Sequence, residues 1–211
     1  MLIIGAGGFA RELLQVLVDL KLQDTIYFYD DVNADAPDLL YGKFQVLKQA
    51  AQAKSLFEQG HRDYILGIGN PAIRKKMKKK FDELGGNLCS AISPSTIIGS
   101  YDVHIGEGCN MLSTVTISNS AKIGNCCLMY YGTIITHDCV VGDYVELSPN
   151  VVLLGRCVVG DLTHIGANST VLPKVKIGKN VVIGAGSLVT RDIPDNSLAY
   201  GVPARIAKKL H

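Results

Sequence analysis

Between Ile105 and Pro194 a single register of six governs the chain. Ile105, Met111, Ile117, Ile123, Met129, Ile135, Val141, Leu147, Leu153, Val159, Ile165, Val171, Ile177, Ile183 and Val189 are all apolar and fall at every sixth position. The next position is often glycine (Gly106, Gly124, Gly142, Gly160, Gly166, Gly178, Gly184), and the fourth after each apolar residue is small or β-branched, as in Cys109, Val115, Ala121, Cys127 and Thr133. Neither a helix nor a strand of period two holds such a register over roughly ninety residues. A parallel β-helix does, because each short strand turns an apolar residue inward before the chain rounds a corner, and stacked coils share one core. Ser100 to His104 breaks the period by one residue.

Composition limits the partners. A formal charge of +2 over 211 residues gives no argument for nucleic acid. No apolar run approaches the roughly 18–20 residues of a membrane-spanning helix. The first residues run straight into a glycine motif with no positive leading segment, unlike a secretory signal. A soluble cytoplasmic protein is expected, and the six cysteines fit that compartment. Cys109 and Cys127 are eighteen residues apart, as are Cys139 and Cys157, which stacks each pair on adjacent coils at the small inward position. Parallel neighbours lie about 4.8 Å apart, but their Cβ vectors run side by side, so the thiols read as reduced core residues. Cys126-Cys127 lacks the spacing of a metal or redox motif.

The first ninety or so residues follow a different grammar. Leu2 to Ile4 is apolar and leads into Gly5-Ala-Gly7-Gly8-Phe9-Ala10, then a helical pattern of Leu13, Leu14, Val16, Leu17 and Leu20. Strand, glycine turn and helix match G-x-G-x-x-A, where missing side chains let a phosphate approach backbone N–H groups at a helix start. A second strand, Ile26 to Tyr29, ends in Asp30-Asp31, where a mononucleotide fold places an acid for ribose hydroxyls. Asp31 to Gly42 reads as a loop, Gln45 to Gly60 as a strand edge leading into a helix, and Tyr64 to Ile68 as a third strand. Asn70 suits the N-cap of the next helix, with Pro71 at its first position. The run Arg74-Lys75-Lys76-Met77-Lys78-Lys79-Lys80 reads as a solvated basic face, with Arg74 placed to reach a ligand phosphate. A small parallel α/β domain over residues 1–86 and a repeat domain over 87–211 follow from this alternation.

The six-residue repeat, the Thr136-His137-Asp138-Cys139 segment within it and the closing Gly201-Val202-Pro203-Ala204-Arg205 resemble the hexapeptide-repeat acyltransferases. The Gly5-Ala6-Gly7-Gly8 turn, Tyr29-Asp30-Asp31 and Ile68-Gly69-Asn70 narrow the resemblance to the PglD/NeuD-like sugar acyltransferases, over nearly the whole chain. It implies a Rossmann-like α/β domain followed by a left-handed parallel β-helix, a homotrimer, and acetyl-CoA bound between neighbouring β-helices. The left hand comes from the resemblance alone, since crossover statistics favour the right.

Acetyl transfer from a thioester needs a base for the incoming amine or hydroxyl and a donor for the oxyanion. His137 faces outward at a corner, and Asp138 beside it can hold the imidazole tautomer; the family's base and its acidic helper fall on these positions. The resemblance further implies Gly155 as oxyanion donor, Ala167 and Ala185 along the pantetheine arm, and Glu146 near the acetyl group, where relatives often carry a second histidine. An ionised Glu146 could accept but not donate a hydrogen bond there. Gly7, Gly8, Phe9 (where relatives often have histidine), Asp30, Asp31, Gly69 and Asn70 are the expected contacts of a nucleotide-linked amino sugar of the UDP-4-amino-sugar type. Alternatives are O-acetylation of sialic acid or a related hydroxyl, and a non-catalytic nucleotide-binding scaffold. An NAD enzyme lacks any candidate for hydride transfer in the repeat half. A zinc site is not expected, because His104, His137 and His164 are not separated by multiples of eighteen and so do not stack.

Overall fold

The computed structural model describes residues 1–22, 25–33 and 35–210. The front domain runs β1 (Leu2–Ile4), α1 (Gly8–Asp19), β2 (Tyr27–Tyr29), β3 (Leu39–Leu40), β4 (Phe44–Leu47), α2 (Ala50–Glu58), β5 (Asp63–Leu66), α3 (Pro71–Glu83) and β6 (Asn87–Leu88). The sheet order is β3-β4-β2-β1-β5-β6, parallel except for β3 against β4. Alternation along the strands builds two cores. Ile3, Phe28 and Ile65 meet α1 on one side, while Leu2, Ile4, Tyr64 and Leu66 meet Phe57 and Phe81 on the other. Connections diverge from β1 to β2 on one side and β5 on the other, which opens a crevice at their carboxyl ends. The stretch read as a loop from Asp31 to Gly42 contains β3, which folds back on β4 through Tyr41 and Gly42, both at positive φ. Two adjacent leucines give no alternation by which to find such a strand.

Asn87–Leu88 completes the front sheet and Ala91–Ile92 begins the second body, a left-handed parallel β-helix. Two-residue strands recur on three faces. The first face stacks Ala91–Ile92, Asn110–Met111, Leu128–Met129, Glu146–Leu147, His164–Ile165 and Val182–Ile183. The second begins at Ile97–Ile98 and includes Ile134–Ile135 and Val152–Leu153; the third begins at His104–Ile105 and includes Val140–Val141 and Val158–Val159. Each hexapeptide contributes two inward residues, the register apolar one and the small one, so Cys109, Cys127, Cys139 and Cys157 lie in the core as free thiols. A hairpin of Ser197–Gly201 with Ala204–Lys209 pairs onto Val182–Ile183 and closes the column.

The corners explain the glycines. At Gly106 and Gly124 an added Cβ would meet the backbone of the next coil at 2.7 Å and 2.6 Å, so glycine is there for close approach between coils. The left-handed residue comes two positions later and is mostly not glycine: Ser120, Cys126, Asp138, Tyr144, Asn150, Arg156 and Leu162 all have φ between 52° and 65°. Stacking compensates the cost of roughly 1–2 kcal/mol that each such residue carries in isolation.

The front domain rests on the first face. Leu112 and Leu128 join the α1 core and Cys126 joins the opposite one, so the two bodies share apolar contacts.

Candidate active site

Thr136 to Cys139 rounds the corner between the second and third faces. Cys139 is fully buried, Thr136 Oγ1 donates to the carbonyl of Leu153 at 2.9 Å, and Asp138 takes φ +60°, which aspartate tolerates better than most residues. His137 is left pointing outward. Its Nδ1 lies 2.8 Å from Asp138 Oδ2, and Arg156 Nε, one coil on, is 3.5 Å from the same oxygen. The bond from His137, then the charges of His137 and Arg156, hold the Asp138 carboxyl below its ordinary value. An ionised Asp138 keeps the proton on Nδ1 and leaves Nε2 its lone pair. Nε2 faces Gly155, where a Cβ would stand 2.6 Å from the ring, so only glycine gives the imidazole room. Arg156 N donates to the His137 carbonyl at 3.0 Å and keeps the two corners in step. Sequence reasoning missed Arg156, although its offset of eighteen from Asp138 was the available signal.

The structure separates the other expected contacts. Gly155 shares the edge of His137, but Ala167 and Ala185 stack on the edge between the first and second faces, tied by Gly186 N to the Ala167 carbonyl at 2.8 Å. Glu146 lies on the first face. Within one chain, the expected base and the expected pantetheine contacts occupy different edges of the prism.

The crevice at the ends of β1, β2 and β5 is open, about 350 Å³, and lined by Gly7, Gly8, Phe9, Asp30, Asp31 and Gly69 among others. Gly5, at φ +106°, lets the first turn approach Gly67, whose carbonyl would lie 2.7 Å from any Cβ. Asp30 Oδ1 accepts the N–H groups of Val32 and Asn33 at 3.2 and 3.0 Å and so folds the loop. Asp31 Oδ2 accepts from Tyr29 Oη at 2.8 Å and Lys80 Nζ at 2.6 Å. Burial pushes the Asp31 carboxyl up, but the bonds from Lys80 and Tyr29 and the Lys80 charge outweigh it and hold it below the usual range. Lys80 therefore braces the crevice wall through Asp31 and Tyr29 rather than standing on a solvated face. Asn70 does not line the crevice; its Oδ1 caps α3, accepting from Ile73 N at 3.1 Å.

Arg74 corrects the sequence reading. It reaches no phosphate, being only 1% exposed and spent on backbone carbonyls. The basic run gave no hint that its first member turns inward.

A comparison with curated proteins gave no match. Residues 1–81 match the family model described as PglD N-terminal domain, and residues 156–191 that of the bacterial transferase hexapeptide, six repeats. The acetyltransferase domain of PglB from Neisseria gonorrhoeae, solved with acetyl coenzyme A, is 25% identical with a TM-score of 0.89, 97% of each chain being covered. PerB from Caulobacter crescentus, solved with CoA and GDP-perosamine, is 33% identical with a TM-score of 0.89, covering 98% of this chain and 96% of that one. The chain belongs to the PglD/NeuD-like sugar acetyltransferases.

Phe9 and Glu146 stand where the resemblance leads to an expectation of histidine. Phe9 is 8% exposed and its ring centroid lies 5.2 Å from that of Tyr130, so it forms an apolar seam between crevice and β-helix. Glu146 is 8% exposed, with Oε2 3.9 Å from Arg74 Nη1 and Oε1 3.8 Å from His164 Nε2, which is itself 3.0 Å from Ser148 Oγ. Burial pushes the Glu146 carboxyl up to about 7, the Arg74 charge opposing. It therefore holds a proton for part of the time near neutrality and in that form can donate a hydrogen bond, which the ionised form cannot. Burial and then the Arg74 charge lower His164, which keeps it neutral there.

Proposed function

We propose that the chain transfers the acetyl group of acetyl-CoA to the amine of a nucleotide-linked amino sugar, as a homotrimer with the site shared between copies. The observation that carries this reading is the His137–Asp138 pair, with Nδ1 locked at 2.8 Å and Nε2 opening on the notch left by Gly155. The acceptor amine attacks the thioester carbonyl while His137 Nε2 takes its proton, and Asp138, held by Arg156, stabilises the imidazolium. The backbone N–H of Gly155 receives the oxyanion. Collapse expels the CoA thiolate, to which His137 returns the proton. Ala167 and Ala185 flank the pantetheine arm through their backbone, and Glu146 serves the acetyl end. The crevice holds the nucleotide: Asp31, its Oδ2 already engaged by Lys80 and Tyr29, offers its other oxygen to base or ribose donors. The backbone at Gly7, Gly8 and Gly69 meets the phosphates, and Asn70 acts by fixing the start of α3. GDP-linked sugars head the candidates because PerB and its mutant were solved with GDP-perosamine. Both substrate classes belong to the cytoplasm.

The trimer is supported by the separation of the edges. The edge of His137 and the edge of Ala167 and Ala185 both border the second face, which presents Ile97 and Ile134 outward, 64% and 39% exposed. The first face is covered by the front domain, and the third carries Lys122 and Lys176 outward. A threefold arrangement brings one edge of each kind together from neighbouring copies.

The test is an acetyl-CoA-dependent assay over GDP-, UDP- and dTDP-linked amino sugars and free sialic acid, with light scattering of the same sample. N-acetylation of a nucleotide sugar by a trimer is the expected result. Turnover of sialic acid alone, or of no acceptor at all, would overturn the reading.

A further inference from the structure

Arg74 stands one turn into α3, and its guanidinium reaches five backbone carbonyls in two bodies. Nε donates to Cys126 at 3.1 Å, and Nη2 donates to Tyr144 and Val145 at 2.8 and 3.1 Å; all three belong to stacked corners of the β-helix. Nη1 donates to Ile68 at 3.3 Å and to Gly69, on the loop between β5 and α3. Ile68 and Gly69 are crevice wall. A second tie ends at the same place: Asn110 Nδ2, buried on the first face, donates to the Leu66 carbonyl at 2.9 Å. Glu146 closes the arrangement, its carboxylate against Arg74 and 3.6 Å from where a Cβ of Gly69 would stand.

A surface charge has no need of such a cradle, and a buried salt bridge is weak evidence for stability. What the cradle does is geometric. A planar guanidinium with donors fixed in a fork sets the distance and angle between two rigid bodies, which an ammonium on a flexible stem does not. We infer that Arg74 is a positioning residue for acetyl transfer, holding the β5–α3 wall of the acceptor crevice at a fixed place on the β-helix coils that carry the site. This rests on the crevice being the acceptor site, as proposed above.

The experiment compares wild type with Arg74→Lys and with Asn110→Ser in steady-state kinetics below the melting temperature, together with amide hydrogen exchange. Arg74→Lys is expected to lower kcat for the acceptor at least 30-fold, with KM for acetyl-CoA within twofold, and to speed exchange at residues 67–70 while leaving 137–138 and 155–156 unchanged. Asn110→Ser should do the same about threefold and covers the case in which Arg74→Lys fails to fold. A purely structural role would lower the melting temperature and leave kcat intact, which would overturn the inference. Unchanged exchange at 67–70 would also overturn it, and that readout needs no turnover. Absence of turnover in the wild type would count against the proposed function instead, leaving the exchange measurement to decide the role of Arg74.

Discussion

In the β-helix, position in the hexapeptide decides what a residue does; in the front domain, neighbours decide it. Ile135, Leu153 and Val171 are interchangeable in role, all fully buried in one column. Asp30 and Asp31 are adjacent and chemically alike, yet one folds its own loop and the other is held by Lys80 and Tyr29. The repeat can therefore place a base by periodicity alone, on a corner stiffened by hydrogen bonds above and below. The front domain builds a pocket from loop ends, and its placement depends on a few buried ties to the other body. On the proposed mechanism, precision of the base comes from the scaffold, whereas selectivity for the acceptor comes from the docked domain.

The sharpest challenge to this division is His137→Ala. It is expected to lower kcat at least the ~10²-fold typical of a lost general base, with melting temperature and trimer unchanged because the side chain faces outward. Asp138→Asn should cost less. A His137→Ala protein that keeps normal turnover would mean that the β-helix supplies no chemistry.

Cooperativity between the bodies is tested in the core. Ile135→Ala is expected to cost about 2–5 kcal/mol in denaturant unfolding. Since the α1 core includes Leu112 and Leu128 of the β-helix, both bodies should melt in one transition. Two separate transitions would show the domains to be energetically independent.

The shared boundary has its own pH signature. Glu146 rises from its ordinary 4.5 to about 7 on folding, so the folded chain binds more protons than the unfolded one in that window. Stability from this group is complete below about pH 4.5, falls as pH rises to about 7 and is level above, a change of about 3 kcal/mol at most. Arg74, His164 and Tyr130 are the charged or titratable groups around it; His164, lowered, acts oppositely and costs stability as pH falls below about 6.5. Glu146→Gln should flatten the loss between pH 5 and 7 in thermal unfolding. An unchanged pH slope would place the carboxyl in water rather than between the bodies.

The smallest expected effect belongs to the crevice alone. Asp30→Ala with Asp31→Ala should raise KM for the acceptor about tenfold, roughly 1.4 kcal/mol, and leave KM for acetyl-CoA unchanged. If acetyl-CoA binding weakens instead, the crevice and the thioester site are not the separate regions drawn here.

The sequence by itself determined the coil, its core positions, the corner that carries His137 and Asp138, and the glycine turn that opens the crevice. These depend on spacing, and spacing is local: a residue six or eighteen positions away is a neighbour by construction. Tertiary structure alone decided the fate of Arg74, which the sequence placed to reach a ligand phosphate and which is instead buried, with three of its carbonyl partners 52 to 71 residues away. It also decided that the Glu146 carboxyl is pushed up to about 7, since desolvation depends on which surface covers the first face. The edges divide differently: the offset of eighteen already groups His137 with Gly155 and Ala167 with Ala185, whereas only the tertiary structure shows that the front domain covers the first face and leaves Ile97 and Ile134 of the second exposed.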